Sequence, residues 1–555
     1  MPVPTRARRG ALVLAASLFA GLAALSWLRW ASFQGDLSRE WTVPMRLAAG
    51  ERLWKDVGYY YGPLAPYAVA GAFRAFGATV ATYAGLGLLA AAGTLAALLL
   101  AGRRFLTPAA SGGAAAVAVG VLAFAPENGA FVAPYAMAAL LAIGFAWSAF
   151  LLASSGRVAL AGLAGALALL AKPEAAPALL GAAIAAGSWR AGARLLATAG
   201  LAAAAVYAVA MAGIPFGDLV SYGPLRHFAM PPEFRELYLR VSGLHPALLL
   251  RGIGGLAAGA ALLAGWSLLA TGPVSRRARL SASGGALFAA GLLASALVLG
   301  EPVVTTGVRG LPLLLAAAGL VAFVDLRRGD PSARLPLAAA LLGLAFAWRT
   351  ALWTVPAFPY APLAAVSALP AVAWLLGVRV PRASPRALHP RLPLPPAAPL
   401  LLAPILFLPR LVLFYRAPRT EVAGPAGRWL PPGDEGELFS KVAAHLLKAG
   451  VKDRDLVVLP EAGALGFLLG VRSPLRFEQV LPGHVDARVD RDLAGDLDRA
   501  RPTRVVFVSR PTPEYGPVVF GRDYAVEVAA RLARDYVVEE RFAAGEMTAV
   551  VLRRR

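Results

Sequence analysis

Residues 79–101 read TVATYAGLGLLAAAGTLAALLLA, 23 positions without a charge. At about 1.5 Å per helical residue such a run covers the roughly 30 Å hydrocarbon core of a bilayer, and little else accommodates it. Similar runs recur along the chain. They predict about thirteen spanning helices, at 11–31, 79–101, 112–125, 133–153, 158–171, 174–187, 195–213, 247–271, 282–300, 310–325, 335–349, 360–378 and 396–415. With 58% hydrophobic and only 15% charged residues, the chain reads as a multi-pass α-helical membrane protein.

The basic residues lie between these runs. From a cytoplasmic N-terminus, alternation places Arg103/Arg104, Arg157, Arg190/Arg194, Arg276/Arg277/Arg279, Arg327/Arg328/Arg334 and Arg379/Arg382/Arg386/Arg391 on the cytoplasmic side. The net charge of +22 is thus explained by orientation, and no single basic surface for nucleic acid is implied. The chain has no Cys, which excludes disulfides, thiolate metal sites and cysteine nucleophiles. Its five His residues are scattered, so no metal site is expected. The basic, then apolar, N-terminus reads as a first span or as a cleaved signal, and both put residue 36 outside. The expected location is the inner (plasma) membrane.

With that orientation the long loops 32–78 and 214–246 are external, and so is everything after residue 415. Long polar loops in a compact membrane protein usually carry function. The tail alternates helical stretches (DEGELFSKVAAHLLKAG, AGALGFLLG, DYAVEVAARLARD) with strand-like ones (DLVVLP, RVVFVS, YVVEERF, MTAVVL). Two units are therefore expected: residues 1–415, a membrane domain, and 416–555, a small extracytoplasmic α/β domain. The glycines after DLVVLP form neither GxGxxG nor a P-loop, so nucleotide binding is not expected. The stretch PRASPRALHPRLPLPP reads as a cytoplasmic connector.

The first external loop holds the best candidates for chemistry. In GDLSREW (35–41), Asp36 is the first group beyond the opening helix able to accept a proton. If a helix begins at Leu37, Arg39 and Glu40 lie one turn away on the same face. The competing reading makes Asp36 an N-cap and the other two solvated charges. In KDVGYYYGPLAPY, Tyr59, Tyr60, Tyr61 and Tyr67 serve either as an interfacial belt or as rings stacked on a sugar or prenyl chain. Lys172 and Glu174, in LLAKPEAAP, sit between two apolar runs. They are candidates for function because charge near membrane depth is costly, although a snorkelling lysine explains them too. Arg226 and His227 in the second loop are candidates for a phosphate or an acceptor, and Arg309 and Arg349 flank external helix ends.

The acidic residue after the first helix, then RLAAGERLWKDV and YYYGPLAPYAVAGAFRAFG, resembles the start of a GT-C membrane glycosyltransferase of the glycosyltransferase family 39 type. That group includes protein O-mannosyltransferases, lipid A aminoarabinose transferases and bacterial lipopolysaccharide sugar transferases. The tail segment VVLPEAGALGFLLGVRSPLRFEQVLPG is similar to those of bacterial members. The resemblance covers 33–77 and 455–483, and elsewhere rests on helix number and loop placement. It implies transfer of a sugar from a polyprenyl-phosphate donor to an acceptor in the cell envelope, a lipid, glycan or protein. It places Asp36 as general base and Arg39 on the donor phosphate. By their own positions, Glu40 is the next acid, and Lys172 and Arg226 are further phosphate candidates. The four tyrosines would meet sugar or lipid. The aminoarabinose transferases carry a Lys directly before the proline-rich end of this loop, where this chain has YYYGP; a second cation must then come from elsewhere, or the donor differs. No cofactor or metal is implied, since Arg and Lys can serve a monophosphate leaving group. A transporter or lipid flippase should show paired repeats and charges at the midplane, which this sequence lacks. A non-catalytic envelope scaffold should tolerate loss of Asp36.

Overall fold

The computed structural model describes residues 5–30, 32, 35–126, 129–134, 136–228, 230–271, 286–287, 289–291, 294, 303–352, 360–379, 398–510 and 518–555. The expected span at 282–300, apart from a few positions, lies outside the described residues, as do Arg276, Arg277, Arg279, Arg382, Arg386, Arg391 and the Pro-rich connector.

Seven described helices are long and apolar enough to cross a membrane: Val80–Gly102, Met137–Ser154, Trp189–Met211, Pro232–Gly265, Thr306–Arg327, Pro331–Thr350 and Ala361–Arg379. Three shorter apolar helices, Val13–Leu25, Pro108–Leu122 and Val158–Ala171, fall on further expected spans. The span expected at 174–187 differs. Its α-helix runs only from Ala178 to Ala185, about 12 Å, less than half the hydrocarbon thickness. Pro173 is the reason: a residue before proline is driven out of the helical region, and Lys172 is extended (φ −152°, ψ 111°), which ends the preceding helix at Ala171. The polar sequence KPE is thereby held between two short helices.

The first external loop is largely helical. Helix Asp36–Ala48 follows Gly35, whose φ of +70° a glycine adopts without strain, and helix Leu64–Phe76 follows Pro63. In the tail, a hairpin pairs β1 (Val422–Gly424) with β2 (Gly427–Trp429). A mixed four-stranded sheet has the order β3 (Leu456–Leu459), β4 (Arg504–Ser509), β6 (Met547–Arg554), β5 (Tyr536–Ala544). β3 and β4 are parallel, which requires a crossover, and helix Ala487–Ala500 lies within it. The sequence reading omitted that helix and the hairpin. Val489, Leu493 and Leu497 recur at i, i+4 and i+8 within a highly charged stretch, and Asp486 caps the helix by accepting from the N–H groups of Arg488 and Val489.

The two faces of the sheet alternate with period two, and each joins a different core. Leu456, Val458, Val506 and Val508 belong to the large core that runs through the apolar helices. Val457, Leu459 and Val505 pack with Tyr60 of the first loop and Tyr222 and Phe234 of the second. The tail thus clamps both loops. The clamp on helix Asp36–Ala48 is aromatic: Trp41 meets Trp429 at 4.9 Å and Phe467 at 5.1 Å between ring centroids, and the Ser38 hydroxyl accepts from the Ala464 N–H. Aromatic pairs of this kind contribute about 0.5–1.5 kcal/mol each beyond area burial, and here they fix the helix that begins with Asp36.

Candidate active site

Helix Asp36–Ala48 starts at Asp36 itself, and Gly35 is the N-cap with no side-chain cap bond. The capping explanation of Asp36 therefore does not apply. Arg39, one turn on, donates from Nη1 to Asp36 Oδ1 at 2.8 Å and to the Gln479 amide oxygen at 2.9 Å. Gln479 returns a bond from Nε2 to the same Asp36 oxygen at 2.9 Å. Oδ1 is held twice, whereas Oδ2 accepts from no other described residue, and the side chain is 18% exposed. Asp36 is thus oriented yet reachable.

Glu40 is different. Only 3% of its side chain is exposed, and its oxygens accept from Arg39, the Tyr59 hydroxyl (3.3 Å) and the Met137 N–H (3.2 Å). Burial pushes its carboxyl up from the ordinary value, with Arg39 opposing. Its position suits holding Arg39 rather than meeting a substrate, so the expectation of Glu40 as an alternative catalytic acid does not fit this environment.

Tyr61 gathers the cations. Arg39 lies 4.8 Å and Lys172 Nζ 4.5 Å from its ring centroid. Lys172 arrives from the KPE break, 3.4 Å from Glu174, which in turn accepts from Arg349 at 2.6 Å. Tyr360 lies under both Lys172 (5.5 Å) and Arg349 (5.1 Å). Burial lowers Lys172 from the ordinary lysine value, with Glu174 opposing. Burial raises Glu174, but Lys172 and Arg349 outweigh it and hold the carboxyl at about 2. His227, stacked on Tyr61 at 6.2 Å, is lowered to about 4, chiefly by burial, and so is neutral at pH 7.

Gly62 explains how the loop reaches Lys172. A Cβ at this position would meet the Leu170 carbonyl and the Tyr207 hydroxyl, so only glycine lets Tyr61 lie against the end of helix Val158–Ala171. Gly62→Ala should destabilise the protein by about 1–3 kcal/mol through overpacking. Gly71→Ala, in helix Leu64–Phe76 with nothing within 4 Å, should be neutral or stabilising. Thermal unfolding of both variants in detergent checks the contrast.

The other expected site residues are placed elsewhere. Arg226 is fully buried, pairs with Asp486 at 2.6 Å and donates to the His484 carbonyl at 2.9 Å, so it fastens the second loop to the tail and does not fit the expected phosphate contact. Tyr59 and Tyr60 are enclosed by protein, which leaves no ring face for a sugar or prenyl chain, contrary to expectation. Tyr67 is 44% exposed and touches none of the cations above. Sequence reasoning missed Gln479 and gave no role to Arg349 or Tyr360. Gln479 lies within the tail segment whose resemblance was noted, the one signal available for it. Among the described residues, no three His, Asp or Glu side chains are grouped to hold a metal.

No family model and no curated protein matches the sequence. Among solved structures, the chain is similar to the Archaeoglobus fulgidus oligosaccharyltransferase in complex with zinc and sulfate. The match has 14% identity and a TM-score of 0.46, over 90% of this chain and 67% of that one. It is also similar to AglB, from the same organism, in complex with an inhibitory peptide and a dolichol-phosphate, at 13% identity and a TM-score of 0.44, over 90% and 69%. ArnT from Cupriavidus metallidurans bound to undecaprenyl phosphate matches at 12% identity and a TM-score of 0.44, over 98% and 97%.

Proposed function

We propose that the protein is a glycosyltransferase that moves a sugar from a polyprenyl-phosphate donor to an acceptor in the cell envelope. The observation that carries this reading is that Arg39, which holds the reachable carboxylate of Asp36, and Lys172, from a separate element, both lie over the ring of Tyr61. Asp36 Oδ2 takes the proton of the attacking acceptor group as the bond to the anomeric carbon forms. The bond from that carbon to the donor phosphate breaks, and the departing phosphate is met by Arg39 and Lys172. Lys172 fills the place of the second cation that YYYGP leaves open. In this proposal cations of the chain neutralise the leaving group, with no cofactor or metal. Gln479 is a positioning residue, acting through Arg39 and Asp36.

The outer face of the membrane is the proposed location of the site and of residues 416–555, from the placement of the Arg clusters. A reporter that works only after export should be active when fused after residue 430, and cytoplasmic activity there contradicts the orientation. The donor class has a test that needs no knowledge of the sugar. Undecaprenyl phosphate should raise the thermal midpoint of the solubilised protein, as a ligand of the folded state does, while undecaprenol should not. Equal shifts remove the phosphate site.

A further inference from the structure

About three turns along the same helix from Asp36, Arg46 lines a cavity of about 440 Å³ between the first loop and the tail. Its wall is polar. Arg454, Arg472, Arg476 and Lys55 line it together with Glu51, Asp56 and Asp496. Glu51 serves three guanidinium groups at once, Arg46 and Arg454 at 2.7 Å each and Arg472 at 3.6 Å. Arg472 has a second partner in Asp453 at 2.5 Å, and Arg476 lies 3.4 Å from Asp218. Lys55 is exposed and has no partner among the described residues. With Arg46, five cations face three acids on the wall, and although the guanidinium groups have carboxylate partners, the positive excess together with exposed Lys55 attracts an anion. The carboxylates accept well from hydroxyl groups. So polar a wall has no use for a polyprenyl chain.

We infer that this cavity binds an anionic saccharide, a sugar bearing phosphate or carboxylate. Resting on the glycosyl-transfer reading, it is the part of the acceptor remote from the reacting group. Two features of the chain join it to the candidate active site. Helix Asp36–Ala48 carries Asp36 at one end and Arg46 near the other, about 15 Å apart, a length that an oligosaccharide spans. The segment 472–479 lines the cavity with Arg472 and Arg476 and ends on Gln479, which bonds Asp36.

The test is direct binding by calorimetry to the full-length protein in lipid nanodiscs, with glucose 6-phosphate, glucuronate, glucose and inorganic phosphate as probes. At least one of the two anionic sugars should bind saturably, and which one does names the anion. Glucose and inorganic phosphate should each bind at least tenfold more weakly, and raised salt should weaken the anionic sugar. Lys55→Glu combined with Arg454→Gln, both exposed positions, should weaken it at least tenfold. Asp36→Asn should leave it unchanged. Absence of saturable binding, binding that the double variant does not alter, or inorganic phosphate binding as tightly as the sugar overturns the inference. Because no turnover is read, anionic-sugar binding by a protein that uses no polyprenyl-phosphate donor keeps this site and removes only the transfer reading.

Discussion

Asp36→Asn should leave the protein folded and able to bind its donor while lowering turnover by about two to four orders of magnitude, the usual worth of a general base. The substitution separates roles because the contacts of Asp36 are asymmetric. Arg39 and Gln479 both donate to Oδ1, and an asparagine can present its carbonyl oxygen to the same two donors, so the network survives. What is lost is the proton acceptor at Oδ2. Asp36→Glu should recover little, since one extra methylene moves the carboxylate by about an ångström, a displacement that catalytic geometry tolerates poorly. Glu40→Gln gives the contrast: it removes a charge that pairs with buried Arg39, so its expected effect is on folding before turnover. Near-normal turnover by well-folded Asp36→Asn protein contradicts the mechanism. Turnover and donor binding, measured on the same preparation, decide it.

The second large effect belongs to the cations. Arg39→Ala should lower turnover by about 10²–10³, comparable to removing one donor that stabilises charge in a transition state, and Arg39→Lys should keep part, because it restores the positive charge but not all of the guanidinium's bonds to Asp36, Gln479 and Glu40. Arg39→Ala also leaves Glu40 buried without its charged partner, so the variant is judged beside Arg39→Ala with Glu40→Gln, which removes the orphaned charge. Lys172→Met is the cleaner test of the second cation, since Glu174 keeps its bond to Arg349. It should weaken donor binding as well as turnover. The lowered value of Lys172 adds a pH signature with a definite sign. If the protonated form is needed, activity should fall on the alkaline side at a pH below the ordinary lysine value of about 10.4, and Lys172→Arg should move that limb upward. Stability goes the other way: where the folded protein binds fewer protons at Lys172 than the unfolded chain, it rises with pH. Unchanged activity in both Arg39→Lys and Lys172→Met contradicts a phosphate contact.

The sequence carried the helical character of the chain and the Asp36–Arg39–Glu40 face because both are local: uncharged length marks a span, and one-turn spacing puts side chains together. It carried less of the site because the rest is tertiary. Gln479 reaches Asp36 across 443 positions, and no spacing rule connects them. Arg349 and Tyr360 were only helix-end residues until the fold set them beside Lys172. Arg226 looked like a phosphate ligand because a loop Arg is usually exposed, and its burial depends on Asp486, the cap of a helix that was itself overlooked. That helix, Ala487–Ala500, was hidden by its charge, with only Val489, Leu493, Ala494 and Leu497 as apolar positions to mark its buried face. The run of tyrosines could not be sorted from sequence, because neighbouring rings in YYYGP face different surroundings: Tyr59 toward Glu40, Tyr60 into the tail core, and Tyr61 toward the cations.

The most direct measurement of the central claim is release of polyprenyl phosphate by the purified protein in lipid, offered a panel of polyprenyl-phosphate sugars with a cell-envelope extract as the source of acceptor. Wild-type protein should release polyprenyl phosphate from at least one donor, and the same preparation carrying Asp36→Asn should release about a hundredth or less. Release from no donor, or equal release by the two proteins, contradicts the account.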